Sequence, residues 1–133
     1  MLLDIGKIFL HDDALNAVRK LTSGEHKIIK AHAMKGALYL IGINGIPKLS
    51  ALAALEHHIK YDGTGYPEID AAWQSHLVSQ MITITDIFDA MPNEQSTKGP
   101  KPIEKIVWVL KKGKGTNFNP QLIDHFLKLI DME

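Results

Sequence analysis

The segment Glu56-His57-His58-Ile59-Lys60-Tyr61-Asp62-Gly63-Thr64-Gly65-Tyr66-Pro67 holds the densest chemistry in the chain. Two adjacent imidazoles close an Ala/Leu-rich helical pattern, and a glycine-rich turn follows. Adjacent histidines at a helix end are poor core residues and good metal ligands. Asp4, His32 and Asp86 each lie on or beside an apolar run and offer further ligand atoms. Imidazole with carboxylate suits zinc, iron, manganese or nickel. Two such ions roughly 3.5–4 Å apart would activate a bridging water toward a phosphodiester. Successive helical residues point about 100° apart. His57 and His58 are therefore expected to serve two neighbouring ions, or to divide into one ligand and one supporting group. A lone histidine on an apolar face is more often a satisfied core residue, and His32 alone would read that way. An inward-facing aspartate in mid-helix is rarer unless paired, which sets Asp86 apart.

Helices must bring these residues together. Residues 1–10 are apolar around Asp4 and Lys7, as the end of a helix or a short strand. His11, Asp12 and Asp13 read as a turn and cap opening a short helical piece over 14–21. Thr22 with Glu25 forms a capping box for a helix running to about Ile41. Gly42, Asn44, Gly45 and Pro47 mark a turn. Ser50 is expected to cap a helix with Leu52, Leu55 and Ile59 on one face. Asp70 is expected to cap a long helix over 71–91, and 92–102 reads as a surface loop. Pro102 opens a helix over 103–110. Residues 111–119, rich in lysine and glycine, read as a mobile basic loop. Pro120 starts a last helix over 121–132. Trp73 and Trp108 read as core or interface residues.

Composition narrows the classes. The 133 residues suffice for one domain, and 45% apolar content supports a core. With 15 basic and 15 acidic residues, no electrostatic footprint for DNA is present. The absence of cysteine excludes thiolate zinc sites, iron–sulfur clusters and cysteine nucleophiles. No apolar run is long enough to span a membrane, so a cytoplasmic location is the default expectation. The apolar start of the chain calls for a partner, either a second copy or a missing segment.

In order along the chain, several segments resemble the HD-GYP subgroup of the HD-domain phosphohydrolases. Asp4-Ile5-Gly6-Lys7-Ile8 resembles the second half of the family's His-Asp-x-Gly-Lys motif. Leu21-Thr22 with Glu25, then Ile29-Lys30-Ala31-His32, resembles the segment bearing the next ligand histidine. His57-His58 with Asp62-Gly63-Thr64-Gly65-Tyr66-Pro67 resembles the subgroup signature. Thr85-Asp86-Ile87-Phe88-Asp89-Ala90 is similar to its late metal-aspartate helix, and residues 115–122 to its closing turn. The resemblance implies an all-α bundle of five or six helices over 1–133, lacking the family's first helices. It implies metal ligands Asp4, His32, His57, His58 and Asp86, with Asp4 bridging. It implies a catalytic Lys7 on the attacked phosphate, and substrate contacts from Lys7, Tyr66, Lys98 and Lys101. Members bind iron or manganese, cleave cyclic di-GMP or related cyclic dinucleotides, and usually sit behind sensory domains in signal transduction.

The chain departs from that pattern. Leu3 stands at the first histidine of the namesake pair, Ile59 at a frequent glutamate, and Gln80 near a frequent arginine. Leucine has no ligand atom, and lysine does not reproduce arginine's bidentate phosphate grip. The expectation is a degenerate phosphodiesterase-like domain acting through binding or protein contact. It would hold at most one weakly bound iron or manganese ion near His57, His58 and Asp86, or none. The alternatives are an active phosphodiesterase for a cyclic dinucleotide and a structural or oligomer-forming helical module.

Overall fold

The computed structural model describes residues 2–11, 15, 18–70, 72–93 and 103–130. Among these residues the chain is all-helical, with six α-helices, one 3-10 helix and no strand. The 3-10 helix is η1 (Leu2–Phe9). The α-helices are α1 (Ser23–Lys30), α2 (His32–Ile41), α3 (Lys48–Glu56), α4 (Leu77–Asn93), α5 (Ile103–Lys112) and α6 (Pro120–Leu129). This agrees with the expected all-α bundle.

Local chemistry accounts for the boundaries. The capping box forms at Thr22, whose hydroxyl accepts from the Glu25 N–H while the Glu25 carboxylate returns to the Thr22 N–H. The single helix expected over 22–41 is two helices. At Ala31 the ladder tightens as its N–H reaches the Ile28 carbonyl, and the His32 ring takes the Ile29 carbonyl. Pro47, not Ser50, stands at the head of α3, because its φ of −58° already fits helix entry. The long helix starts at Leu77 rather than residue 71. The preceding residues are held elsewhere: Trp73 and His76 hydrogen-bond to Glu56, and Asp70 caps only a local turn at Ala72. Of the piece expected over 14–21, residues 18–21 are not helical, and 14, 16 and 17 lie outside the described residues, as do Pro102 and 94–101. The last helix opens at Pro120 with Asn119 as its side-chain cap, as expected.

The segment expected as a mobile basic loop is instead a hydrogen-bonded turn. The Gly113 carbonyl accepts from the N–H groups of Thr116, Asn117 and Phe118, and Phe118 is buried. The turn also accepts from the Tyr61 and Asp62 N–H groups, and Lys114 pairs with Asp124. Trp108 is 57% exposed, with the Lys112 ammonium over its ring, so it is not a core residue.

Two apolar clusters hold the fold. Ile84, Ile106, Val107, Leu110, Phe118, Ile123 and Leu127 join α4, α5 and α6. Leu40, Ala51 and Ala54, with Ile5 and Ile46 against them, join η1, α2 and α3. The inward side of α3 is its alanine side, Ala51, Ala53 and Ala54, not the Leu52–Leu55 face expected. Ala33, Gly36 and Ala37 on α2 are buried too. Small side chains let these helices approach closely. Gly6 carries this furthest: a methyl group there would lie 1.9 Å from the His32 carbonyl oxygen and 2.6 Å from the Gly36 nitrogen. Backbone therefore rests on backbone where η1 crosses α2, and this crossing sets Asp4 against His32.

Candidate metal centre

Asp4, His32, His57 and His58 each bring one ligand atom into a group whose members all lie within 4.8 Å of one another. The four come from η1, the first residue of α2, and the turn after α3. His32 Nε2 lies 3.2 Å from His57 Nε2 and 3.3 Å from Asp4 Oδ1. His57 Nε2 lies 3.9 Å from the same oxygen.

The ring orientations are set by backbone. His32 Nδ1 donates to the Ile29 carbonyl at 2.7 Å, and His57 Nδ1 donates to the Ala54 carbonyl at 2.8 Å. A carbonyl only accepts, so both Nδ1 atoms carry the proton. In the neutral form of each ring, Nε2 is then the lone-pair nitrogen, and the two Nε2 atoms face one another beside the Asp4 carboxylate. Such tautomer locking is the arrangement by which proteins prepare imidazole for a metal. The donor set fits a divalent ion that accepts nitrogen and oxygen ligands.

His57 and His58 converge despite adjacency because α3 ends at Glu56. Both lie in the following turn, with ring centroids 4.0 Å apart. The 100° separation expected of helical neighbours does not apply there. Burial pushes the His57 imidazole below its usual range, the Ala54 carbonyl opposes this, and His32 adds to the fall. Burial, followed by His57 and His32, takes His58 down to about 3. Both rings are neutral at neutral pH, the state that ligates. Burial raises Asp4, but the Lys7 ammonium 2.8 Å away, with His32 and His57, brings its carboxyl below the usual value.

The glycine turn folds back onto the histidine pair. Asp62 Oδ1 accepts from the Thr64 N–H and hydroxyl, and the Lys60 N–H donates to the Thr64 carbonyl. Gly65 has φ +107°, and a methyl there would meet the His58 carbonyl at 2.2 Å. This close approach brings Tyr66 onto His58, ring centroids 4.4 Å apart and planes 29° from parallel. Burial, then Asp4, pushes the Tyr66 phenol up to about 12. The Lys30 ammonium lies 5.4 Å from the Tyr66 ring centre, a contact not anticipated from the sequence.

Asp86 stands outside the group of four. It lines a cavity of about 180 Å³ with His57, His58, Thr83 and Asn117. Lys98 and Lys101 lie outside the described residues. Leu3, which the resemblance sets against the first histidine of the namesake pair, is buried at 6% exposure. Gln80 is committed to packing: its amide donates to the Ser75 carbonyl at 2.7 Å and accepts from Asn119 at 2.9 Å. Sequence reasoning missed Glu56, 1% exposed, whose carboxylate accepts from the Trp73 indole and the His76 N–H. Its one signal was a carboxylate closing the Ala/Leu run 51–55, directly before the paired histidines.

Comparison with known proteins agrees with this geometry. A family model described as HD domain matches residues 1–122. A cyclic di-GMP phosphodiesterase of Thermotoga maritima is 35% identical over 127 residues, 95% of this chain and 34% of that protein. A cyclic di-GMP phosphodiesterase response regulator of Xanthomonas campestris pv. campestris is 32% identical over 94% of this chain and 33% of its own. A 3'3'-cGAMP-specific phosphodiesterase of Vibrio cholerae is 30% identical over 99% of this chain and 28% of its own. The chain thus spans about a third of the length of these curated relatives. On the match across 1–122, the chain belongs to the HD-domain family.

Proposed function

We propose that this domain is a metal-binding, cyclic-dinucleotide phosphodiesterase-like unit of the HD-GYP subgroup in which hydrolysis is impaired. The observation that carries the reading is Leu3. The residue directly before Asp4 is a buried apolar side chain, whereas Asp4 itself joins three converging imidazoles. A divalent ion held by Asp4, His32, His57 and His58 would supply Lewis acidity toward a phosphate oxygen and lower the pKa of a water. Lys7 pairs with Asp4 and Tyr66 stacks on His58, and in this reading Lys7 would contact a bound phosphate and Tyr66 the dinucleotide. A second ion would need Asp86 and the ligand that Leu3 does not provide. Iron and manganese are the ions this reading favours, one per chain.

The test is a hydrolysis assay on cyclic di-GMP with added manganese or iron, run on the chain and on Leu3→His, with metal content measured for each. Negligible turnover is expected from the unmodified chain, with about one ion or less bound. Leu3→His is expected to raise metal content before it raises activity. Robust turnover by the unmodified chain, abolished by His58→Ala, would establish the active-enzyme reading instead. A homodimer is part of the proposal, because Leu2, Ile8 and Phe9 on η1 are exposed. Light scattering on the purified chain tests it, and a monomer at micromolar concentration would remove it.

A further inference from the structure

Glu56 is the most deeply buried carboxylate among the described residues, and the metal reading does not use it. It is the last residue of α3, directly before His57. Both carboxylate oxygens are satisfied from one segment. Oε1 accepts from Trp73 Nε1 at 2.8 Å, and Oε2 accepts from the His76 N–H at 2.9 Å. His76 stands at the head of α4: its Nδ1 accepts from the Val78 N–H, and its carbonyl accepts from the Gln80 N–H. Glu56 is thus a carboxylate placed at the positive end of a long helix, where its burial is offset by one indole N–H, one backbone N–H and the macrodipole.

A second tie joins the same two helices two turns further along. The Thr83 hydroxyl lies 3.1 Å from the His57 carbonyl oxygen and 3.0 Å from the Ser79 carbonyl oxygen, with its one proton shared between them. Ser79, Thr83 and Asp86 are spaced i, i+4, i+7 and share one face of α4. That face meets the end of α3, and there Asp86 lines a cavity with His57 and His58. Two fixed points on a rigid helix set its axial position. The first is Glu56 at the N-terminal end, and the second is Thr83 at mid-length.

We infer that Glu56 is a positioning residue: by anchoring the head of α4 it sets the height of Asp86 against His57 and His58. It touches no reacting atom. It acts through the register of α4, and the conservative change Glu56→Gln isolates that action. Glutamine keeps the volume and one acceptor, but turns an N–H₂ group toward a donor. Alanine would leave two buried donors without acceptors and invites simple unfolding. Thr83→Val, nearly isosteric, releases the second tie and serves as an independent variant.

The experiment has two arms, of which only the second rests on the metal reading. In the first, NMR spectra of the metal-free full chain are compared with Glu56→Gln and Thr83→Val. Both variants are expected to move the signals of Asp86 and His57 while Asp4 and His32 stay in place. Changes confined to Trp73 and His76 in Glu56→Gln would overturn the inference. In the second arm, manganese affinity is measured for the chain, Glu56→Gln, Asp86→Asn and the double variant. Glu56→Gln is expected to weaken binding about tenfold, at the low end for groups that support ligands. The Asp86→Asn loss should shrink several-fold in the Glu56→Gln background, because the two act through one distance. Full additivity would also overturn it. If the unmodified chain binds no manganese, the metal reading fails, and the first arm alone decides the role of Glu56.

Discussion

Two imidazole Nε2 atoms held 3.2 Å apart need a proton or a metal cation between them, because two bare lone pairs would be in conflict. Neither ring can turn away, since His32 Nδ1 and His57 Nδ1 are tied to carbonyls of their own chain segments. A cation between them resolves the conflict, and the Asp4 carboxylate completes the invitation. This predicts opposite signs for one substitution. In His32→Gln, the new amide can donate to His57 Nε2, so the metal-free chain should melt at the same temperature or slightly higher. Divalent-ion affinity should fall by more than the 10–100-fold that loss of a supporting group costs. Thermal melts in chelator, paired with competition against a chromophoric chelator, measure both. A drop of several degrees in the metal-free melt would mean the histidines are packed for stability rather than for an ion.

Elements bring these residues together through close backbone contact rather than side-chain complementarity. Gly6 lies against His32 and Gly36, and no other residue fits there without moving η1 off α2. Gly6→Ala should cost on the order of 3 kcal/mol as an overpacked contact, and should also separate Asp4 from His32. Thr22→Ala provides the contrast: loss of the capping box costs about 1 kcal/mol at the exposed start of α1, with metal affinity unchanged. Denaturant melts and metal titration on both variants check the pair, and equal effects on metal affinity would refute the crossing argument. The same contrast explains what could be read from the sequence. The capping box, the Asp62–Tyr66 turn and the Pro120 helix start were legible because each is a local pattern. The break at Ala31 and the late start of α4 were not. They depend on hydrogen bonds to Ile29 and Glu56, and no periodicity records these. The histidine pair announced itself by type and position, whereas Asp4 and His32 were candidates by residue type that the family resemblance then named as ligands. Glu56 stayed hidden because a glutamate at a helix end reads as solvated until its partners, seventeen and twenty residues away, are known.

At the scale of the molecule, the candidate ligands belong to the half built from η1, α2 and α3, and Asp86 arrives from the half built from α4, α5 and α6. An ion held across that junction would couple the halves, so its binding free energy would appear as folding stability. Leu3 is where the two demands compete. Its burial contributes about 2 kcal/mol as apolar surface removed from water, and that contribution needs no metal. Replacing it with histidine gives up this burial and encloses a polar ring. The metal-free Leu3→His chain should therefore be less stable than the parent, by about that amount. A ligand at a hundredfold excess over its Kd returns about 2.7 kcal/mol, so the loaded variant should recover the metal-free parent's stability, and overtake the loaded parent because the added imidazole gives it the lower Kd. Denaturant melts of both chains across a manganese series test this, with the crossing of the two stability curves as the expected result. If Leu3→His is destabilised equally at every manganese concentration, position 3 is a core site with no access to the ion, and the proposal that Leu3 weakens hydrolysis falls.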